Sequence, residues 1–100
     1  MAEINIVDLV WDNFNEAHIW ERHQLSRAEV EEVCYGEAEL LHVEATYGGR
    51  YIVVGPGSGG KLFAVVLAPK GTGMFYPVSA RRASTKEHYI YREWKAGKQK

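Results

Sequence analysis

Three apolar runs in the second half of the chain constrain the fold more than any other feature. They are RYIVVG (50–55), KLFAVVLA (61–68) and MFYPVSA (74–80), and the short segments GPGSGG and PKGTG join them. Near-continuous apolar runs of this length indicate strands that are covered on both faces. Because the joining segments have ordinary hairpin length, the sequence predicts a largely antiparallel sheet.

Two further segments are predicted to be strands, and a proline marks an irregular position. INIVDLVW (4–11) is β-branched and apolar, and AELLHVEAT (38–46) is moderately strand-like. Pro77 cannot donate a hydrogen bond to a ladder, so its strand is expected to be an edge there or to be bulged.

A first helix is predicted over about 14–23. Asn13 and Glu16 have the spacing of a capping box, in which two side chains each bond the other residue's backbone N–H. Phe14, Ala17 and Trp20 are expected to form the broad apolar side of this helix.

The same capping device starts two more predicted helices. Ser26 and Glu29 begin the second helix, within 25–36, with Val30, Val33 and Cys34 on one face and Gly36 as the stop. Ser84 and Glu87 begin the last helix, which is expected to run to about residue 95. Its apolar side is predicted to be Ile90, Tyr91 and Trp94.

The predicted order β-α-α-β-β-β-β-α is typical of the α+β class. We expect an N-terminal strand, two short helices, a four-stranded mainly antiparallel sheet and a C-terminal helix. At 100 residues the chain is expected to be a single domain over 1–95, followed by a basic C-terminal tail over 96–100.

Composition and motifs exclude several classes of function. No apolar run is long enough to span a membrane, and the first residues lack the pattern of a signal peptide, so a cytoplasmic location is expected.

The single cysteine, Cys34, excludes disulfide scaffolding within the chain and is expected to be a small buried residue. No histidine pair has the i,i+4 spacing and there is no His-Glu-x-x-His run, so we expect no metal and no cofactor. The segment GPGSGG followed by Lys61 has the glycine spacing of a phosphate loop, but Leu62 stands in place of the required Ser or Thr and a strand is predicted to follow instead of a helix. No Gly-x-Ser-x-Gly motif is present to support a hydrolase triad.

Charge is distributed unevenly along the chain. Residues 1–50 hold 11 acidic residues and 3 arginines, whereas residues 51–100 hold 2 acidic residues and 9 lysines and arginines. Such asymmetry favours a polyanion or an acidic protein as partner. The alternative is that the two halves neutralise each other in the fold.

The cationic and aromatic residues could perform RNA cleavage without a metal. They are Arg22, His23, Arg50, Lys61, Arg81 and Arg82, with Tyr89 and Tyr91. A base takes the proton of the ribose 2′-OH, cations stabilise the charge on the phosphate, and an acid protonates the departing 5′ oxygen. Arginine suits the phosphate and histidine suits the proton transfer. The alternative is solvated surface charge, or Arg–Glu pairs such as Arg81 with Glu87.

The order of several short motifs resembles the BrnT family of toxins. The segments are VWDNFNEAHIWERHQLSRAEVEEV, RYIVVGPGSGGKLFAVVL and VSARRASTKEHYIY, and together they extend over about residues 9–92. The resemblance implies a RelE-like α+β fold. It also implies a ribosome-independent, metal-free endoribonuclease of a bacterial type II toxin–antitoxin pair, which arrests growth. The implied partners are an RNA substrate and a neutralising antitoxin with a DNA-binding region, and promoter DNA is contacted only through that antitoxin. No membrane partner is implied, and homodimer formation is left open.

The resemblance also transfers candidate roles to residues of this chain. Arg22-His23 stands at the basic-His pair of the family, Arg50 opens a strand, Lys61 follows a glycine, and Arg81, Glu87 and Tyr91 match directly. We expect Arg81 and Arg22 to bind phosphate, with help from the substrate-binding residues Arg50, Lys61 and Arg82. His23 is the candidate for proton transfer and Tyr91 a weaker one. Glu87 is expected to close a capping box and orient Arg81, with general base as the alternative, while Trp11 and Asp12 give structural support.

The chain departs from the family pattern at two positions. Gln24 replaces a glycine after the histidine, and Tyr76 stands where the family commonly has a basic residue five positions before Arg81. Loss of a phosphate-facing arginine costs roughly 2–4 kcal/mol of transition-state stabilisation. A second hypothesis follows, in which the chain is a disabled module that binds antitoxin or RNA without cleaving.

Overall fold

A computed structural model describes residues 2–98, and within them three α-helices and five strands form an α+β fold. The helices are α1 (Asn13–His23), α2 (Arg27–Cys34) and α3 (Thr85–Lys98). The strands are β1 (Asp8–Leu9), β2 (His42–Thr46), β3 (Arg50–Pro56), β4 (Leu62–Gly71) and β5 (Met74–Arg82). The predicted α+β class is confirmed, and the first strand joins the predicted four in one sheet.

The sheet has the order β1-β5-β4-β3-β2, with antiparallel neighbours except for the parallel β1–β5 pair. The first strand is much shorter than the predicted 4–11, because only Asp8 and Leu9 pair with β5. Before it, Ile4 and Ile6 pack on the core, and the Ala2 N–H donates to the Val43 carbonyl at 2.9 Å. Most of the predicted strand is therefore a segment without regular secondary structure, which is attached by the packing of Ile4 and Ile6 and by single backbone hydrogen bonds such as that from the Val7 N–H to the Gly73 carbonyl, at 2.8 Å.

Two other predicted strands differ in detail. Residues 38–46 divide into a 3₁₀ turn at Ala38–Leu40 and β2 proper, which begins at His42. The irregularity expected at Pro77 is a bulge: Val66 pairs with Ser79 whereas Leu67 pairs with Pro77. The bulge reverses the alternation of side chains along β5, so it decides which face each later residue reaches.

The sheet separates two apolar layers. On one face, Phe63, Val65 and Leu67 of β4 pack with α1 and α2 in the main core. On the other face, Ala64 of β4 and Val54 of β3 pack with Tyr91 of α3. Alternation along β4 thus assigns odd-numbered residues to the α1–α2 side and Ala64 to the α3 side.

Helix α1 shows the largest difference from the sequence-based prediction. Its N-cap is Asp12, whose capping-box partner is Asn15, not Asn13 with Glu16. The predicted apolar side is wrong, since Phe14 is 75% exposed and Trp20 51% exposed, whereas Asn15 and Ile19 are buried. Asn15 is tolerated inside because its amide donates to the Val10 and Pro77 carbonyls, both at 3.1 Å.

Helices α2 and α3 agree better with their local signals. Both predicted capping boxes are present, Ser26 with Glu29 and Ser84 with Glu87. The buried face of α2 is confirmed as Val30, Val33 and Cys34. Burial raises the pKa of the Cys34 thiol to about 12, consistent with the small buried residue that was predicted.

The end of α2 is as predicted, whereas the end of α3 differs. Helix α2 has its C-cap at Tyr35, so Gly36 follows the cap at the position of a helix-stop glycine, and its N–H donates to the Val33 carbonyl at 3.2 Å. Helix α3 continues to Lys98, beyond the predicted end near 95, and residues 99 and 100 of the predicted tail lie outside the described residues. No helix within residues 2–98 is long and apolar enough to cross a membrane.

Candidate functional site

The beginning of α3 holds a tightly bonded ion pair between Arg81 and Glu87. The Arg81 guanidinium donates to both Glu87 oxygens, at 2.6 Å and 2.9 Å. The same carboxylate accepts the Ser84 backbone N–H at 2.8 Å, and the Ser84 hydroxyl accepts the Glu87 N–H at 3.2 Å. The hydrogen bond from Arg81, followed by those from Ser84, holds the pKa of Glu87 at about 2. Both contacts that the sequence predicts for Glu87 are therefore present.

Arg81 and Arg82 lie on opposite faces of the sheet because they are neighbours in a strand. Arg81 pairs with Ala64, a residue of the α3 layer, and Arg82 pairs with Phe63, a residue of the main core. Strand β1 pairs only with the first residues of β5, so near Arg81 the strand β5 is a free edge of the described sheet. The backbone groups on the outer side of β5 there have no partner strand within the described sheet.

Helix α1 lies along β5 and brings its basic end toward this edge. Near its start, Asn15 donates to the Pro77 carbonyl. At its end, the pKa of His23 is lowered first by partial burial and then by the charges of Arg22, Arg81 and His18. Arg81 therefore lies within electrostatic reach of His23, although the two belong to helix and strand on different faces. We name His23, Arg22, Arg81 and Arg82 the edge cluster.

Lys61 belongs to the same end of the molecule. It is exposed and directly precedes β4, where the Leu62 carbonyl accepts the Ala83 N–H at 2.9 Å. Lys61 thus lies beside the junction between β5 and α3 and extends the positive charge of the edge cluster.

Arg50 lies apart from the edge cluster. It begins β3 and pairs with Thr46. Arg81 pairs with Ala64 of β4, which pairs in turn with Val54 of β3, so the residue of β3 level with Arg81 is Val54. Four residues along a strand correspond to about 13 Å, so the sheet separates Arg50 from Arg81 by at least that much.

Tyr91 also lies apart, inside the layer between α3 and the sheet. It is 8% exposed, and its hydroxyl donates to the Leu40 carbonyl at 2.7 Å. Burial raises its pKa above the ordinary value. The hydroxyl of Tyr91 therefore has a structural hydrogen-bond partner, the Leu40 carbonyl.

Trp11 and Asp12 connect the start of α1 to its surroundings. The Trp11 indole donates to Glu31 at 3.2 Å, and the Arg27 guanidinium lies 5.6 Å from the centre of a Trp11 ring. Asp12 caps α1 and accepts the Tyr76 hydroxyl at 3.1 Å. Both residues hold α1 at the end opposite to His23.

Tyr76, which departs from the family pattern, lies away from the edge cluster. Tyr76 contacts the N-cap of α1, and Lys70 lies 5.4 Å from the centre of its ring. It is five residues before Arg81 in β5, about 15 Å along the strand. A basic residue at this position would lie nearest Asp12, so Tyr76 does not remove a cation from the edge cluster.

Within residues 2–98, no group of three or more His, Cys, Asp and Glu side chains is placed to hold a metal ion. His42 is the most buried histidine in this part of the chain. Its Nε2 lies 3.3 Å from a Glu44 carboxylate oxygen, and its ring centre lies 5.2 Å from that of Trp94 in an edge-on arrangement. Its partners are thus a single carboxylate and an aromatic ring.

Comparison with known proteins identifies a structural relative. The fold is similar to the crystal structure of the Brucella abortus ribonuclease toxin, BrnT, with a TM-score of 0.60 and 24% sequence identity. The match covers 83% of this chain and 100% of that one. The fold is therefore BrnT-like. No family model matches the chain, and no curated protein does.

Proposed function

We propose that this protein is a toxin-type endoribonuclease that cleaves single-stranded RNA without a metal ion. The observation that supports the proposal is that α1 packs along β5 and that the charge of Arg81, at the end of β5, contributes to the lowered pKa of His23, at the end of α1, on a BrnT-like fold. Phosphate binding by arginine and proton transfer by histidine are the two functions that this cleavage requires.

His23 is the base of the proposed reaction. Its lowered pKa leaves the imidazole mostly unprotonated at pH 7, so it can accept the ribose 2′-OH proton. The 2′ oxygen forms a bond to the adjacent phosphorus, and the bond from phosphorus to the 5′ oxygen breaks. The 5′ oxygen takes a proton from solvent. The products end in a 2′,3′-cyclic phosphate and a 5′-hydroxyl.

Arg81 holds the phosphate on which charge develops. Its hydrogen bonds to Glu87 raise its pKa, so it stays charged, and they fix the orientation of the guanidinium. Three of its five N–H donors serve Glu87 and the Arg82 carbonyl among the described residues, which leaves two donors for a phosphate oxygen. The exposed side chains of Arg22, Arg82 and Lys61 add positive charge around it. Arg50 and Tyr91 have no part in this reaction scheme.

The proposal includes a cognate antitoxin as partner. The basic second half of the chain favours an acidic segment that covers the edge cluster and so blocks RNA. The antitoxin would carry the DNA-binding region, and the pair would repress its own promoter. Coexpression with the product of a neighbouring short gene, followed by copurification and recovery of growth, tests this part.

Cleavage of labelled single-stranded RNA in EDTA tests the enzymatic proposal. We expect wild type to leave 2′,3′-cyclic phosphate ends and Arg81→Ala to lose roughly 10²–10³-fold in rate. Arg92→Ala is the matched control, because Arg92 is an exposed arginine of α3. The acidic limb of the rate profile should have its inflection below pH 6.5 and should disappear in His23→Gln.

A second candidate function rests on the neutralisation of Arg81 by Glu87. An arginine that already holds a bidentate carboxylate is suited to a structural role in a module that binds antitoxin or RNA without cleaving. Failure of folded wild type to cleave several unrelated RNAs would favour this module over the nuclease.

A further inference from the structure

A cavity of about 320 Å³ lies beside the edge cluster, between α3 and the β2–β3 edge of the sheet. Its aliphatic surface comes from Ile52 and Val54 of β3 and Ile90 of α3. Its polar side chains include Glu44 of β2 and Lys86 of α3. The cavity is at the small end of the range for ligand sites, so it is matched to one ring system and not to a large cofactor.

The aliphatic surface suits the flat face of a nucleobase. Ile52 and Val54 alternate with core residues on β3, so both face the α3 side of the sheet. Ile90 faces them from α3 and is 39% exposed. A planar ring between these side chains would exchange water for dispersion contacts on both of its faces.

The polar side chains have the chemistry to read the edge of a base. Glu44 offers two carboxylate oxygens and its side chain is 53% exposed, while His42 contacts one of the oxygens at 3.3 Å. His42 is buried and its ring is held edge-on against Trp94, so it limits where the carboxylate can lie. A carboxylate accepts two N–H groups side by side, and the Lys86 ammonium donates to ring or carbonyl acceptors. Among RNA bases, guanine presents adjacent N1–H and N2–H donors together with O6 and N7 acceptors.

Glu87 connects this cavity to the proposed phosphate site. It lines the cavity and holds the Arg81 guanidinium through two hydrogen bonds. A nucleotide whose phosphate contacts Arg81 can therefore extend its base past the start of α3. We propose that the cavity is a base-binding subsite that selects guanine next to the phosphate held by Arg81. This inference rests on the proposed function, because it takes single-stranded RNA as the ligand.

Nucleotide titration tests the cavity without relying on cleavage. GMP, AMP, CMP and UMP are added separately to ¹⁵N-labelled protein, and the backbone amides of residues 42–46, 52–54 and 86–90 are followed by NMR. GMP should shift these amides at the lowest concentration. Glu44→Gln should weaken GMP binding roughly 5- to 150-fold, the range for losing one bidentate base contact. Glu32→Gln, which changes an exposed glutamate of α2, should leave it unchanged. Equal shifts from all four nucleotides, or none at these amides, would overturn the inference.

A cleavage measurement separates this inference from the proposed function. Four short RNAs that differ only in the base beside the scissile phosphate are compared with wild type and Glu44→Gln. A preference for guanine that Glu44→Gln removes supports both proposals. Cleavage without base preference, unchanged by the substitution, overturns the subsite alone. Selective GMP binding with no RNA cleavage overturns the nuclease and retains the subsite.

Discussion

Removal of the Glu87 charge should destabilise the protein near neutral pH and have little effect in acid. The change is Glu87→Gln, which keeps the size of the side chain and one acceptor oxygen. The pKa of Glu87 is about 2 in the fold against an ordinary value of 4.5. Each pKa unit corresponds to about 1.36 kcal/mol, which sets an upper limit of about 3.4 kcal/mol on the contribution of the Glu87 charge to stability. The Arg81 side chain is 39% exposed, so solvent screening reduces the expected loss to about 1–3 kcal/mol.

The pH dependence has a defined direction. Because folding lowers the pKa of Glu87, its stabilisation is fully present above pH 4.5 and is lost as pH falls toward 2. Urea unfolding followed by tryptophan fluorescence at several pH values between 7 and 3 measures the free energy of unfolding. The difference between wild type and Glu87→Gln should shrink steadily below pH 4.5.

Glu93→Gln provides the matched control, since it removes an exposed glutamate from the same helix. We expect it to change the free energy of unfolding by less than about 0.5 kcal/mol at every pH. A wild-type advantage over Glu87→Gln that is absent at pH 7, or that persists undiminished at pH 3, would refute the assigned role of the ion pair.

Two further substitutions and one control variant test the packing that surrounds the candidate site. Tyr91→Phe removes the hydroxyl that donates to the Leu40 carbonyl, so it should lower the free energy of unfolding in urea by about 0.5–1.5 kcal/mol. The rate of RNA cleavage should stay unchanged. A loss of about 10²-fold in that rate at preserved stability would instead assign the hydroxyl to the reaction. Gly57→Ala places a Cβ 2.8 Å from Phe63, so it should lower stability by about 1–3 kcal/mol, whereas Gly97→Ala on α3 meets open space and should be neutral or stabilising. Equal thermal midpoints for the two glycine variants would contradict the close packing at Gly57.

Local signals in the sequence were sufficient for features that span only a few residues. The capping boxes at Ser26 and Ser84 each join two residues three positions apart, so their hydrogen bonds need no distant partner. The hairpins that join β3, β4 and β5 follow in the same way from short turns between apolar runs. These features were predicted because their determinants are contiguous in the chain.

Predictions failed where a distant group decided the outcome. Apolar spacing placed Phe14 and Trp20 inside, but the carbonyls of Val10 and Pro77 need a donor, and Asn15 supplies it from the buried face of α1. Residue pattern alone does not reveal that need, because Pro77 is 62 residues away from Asn15.

In the candidate site, too, the sequence predicted some features and only the tertiary structure decided others. By itself, the sequence determined the α+β order of elements, the basic character of the second half and the residue types suited to RNA chemistry. Only the tertiary structure decided that the charge of Arg81 reaches His23, that Arg50 and Tyr91 lie elsewhere, and that Tyr76 contacts Asp12. The physical reason is that proximity across a sheet depends on strand register, and although Pro77 indicates an irregular position, local propensity does not encode how the bulge there shifts the pairing with β4.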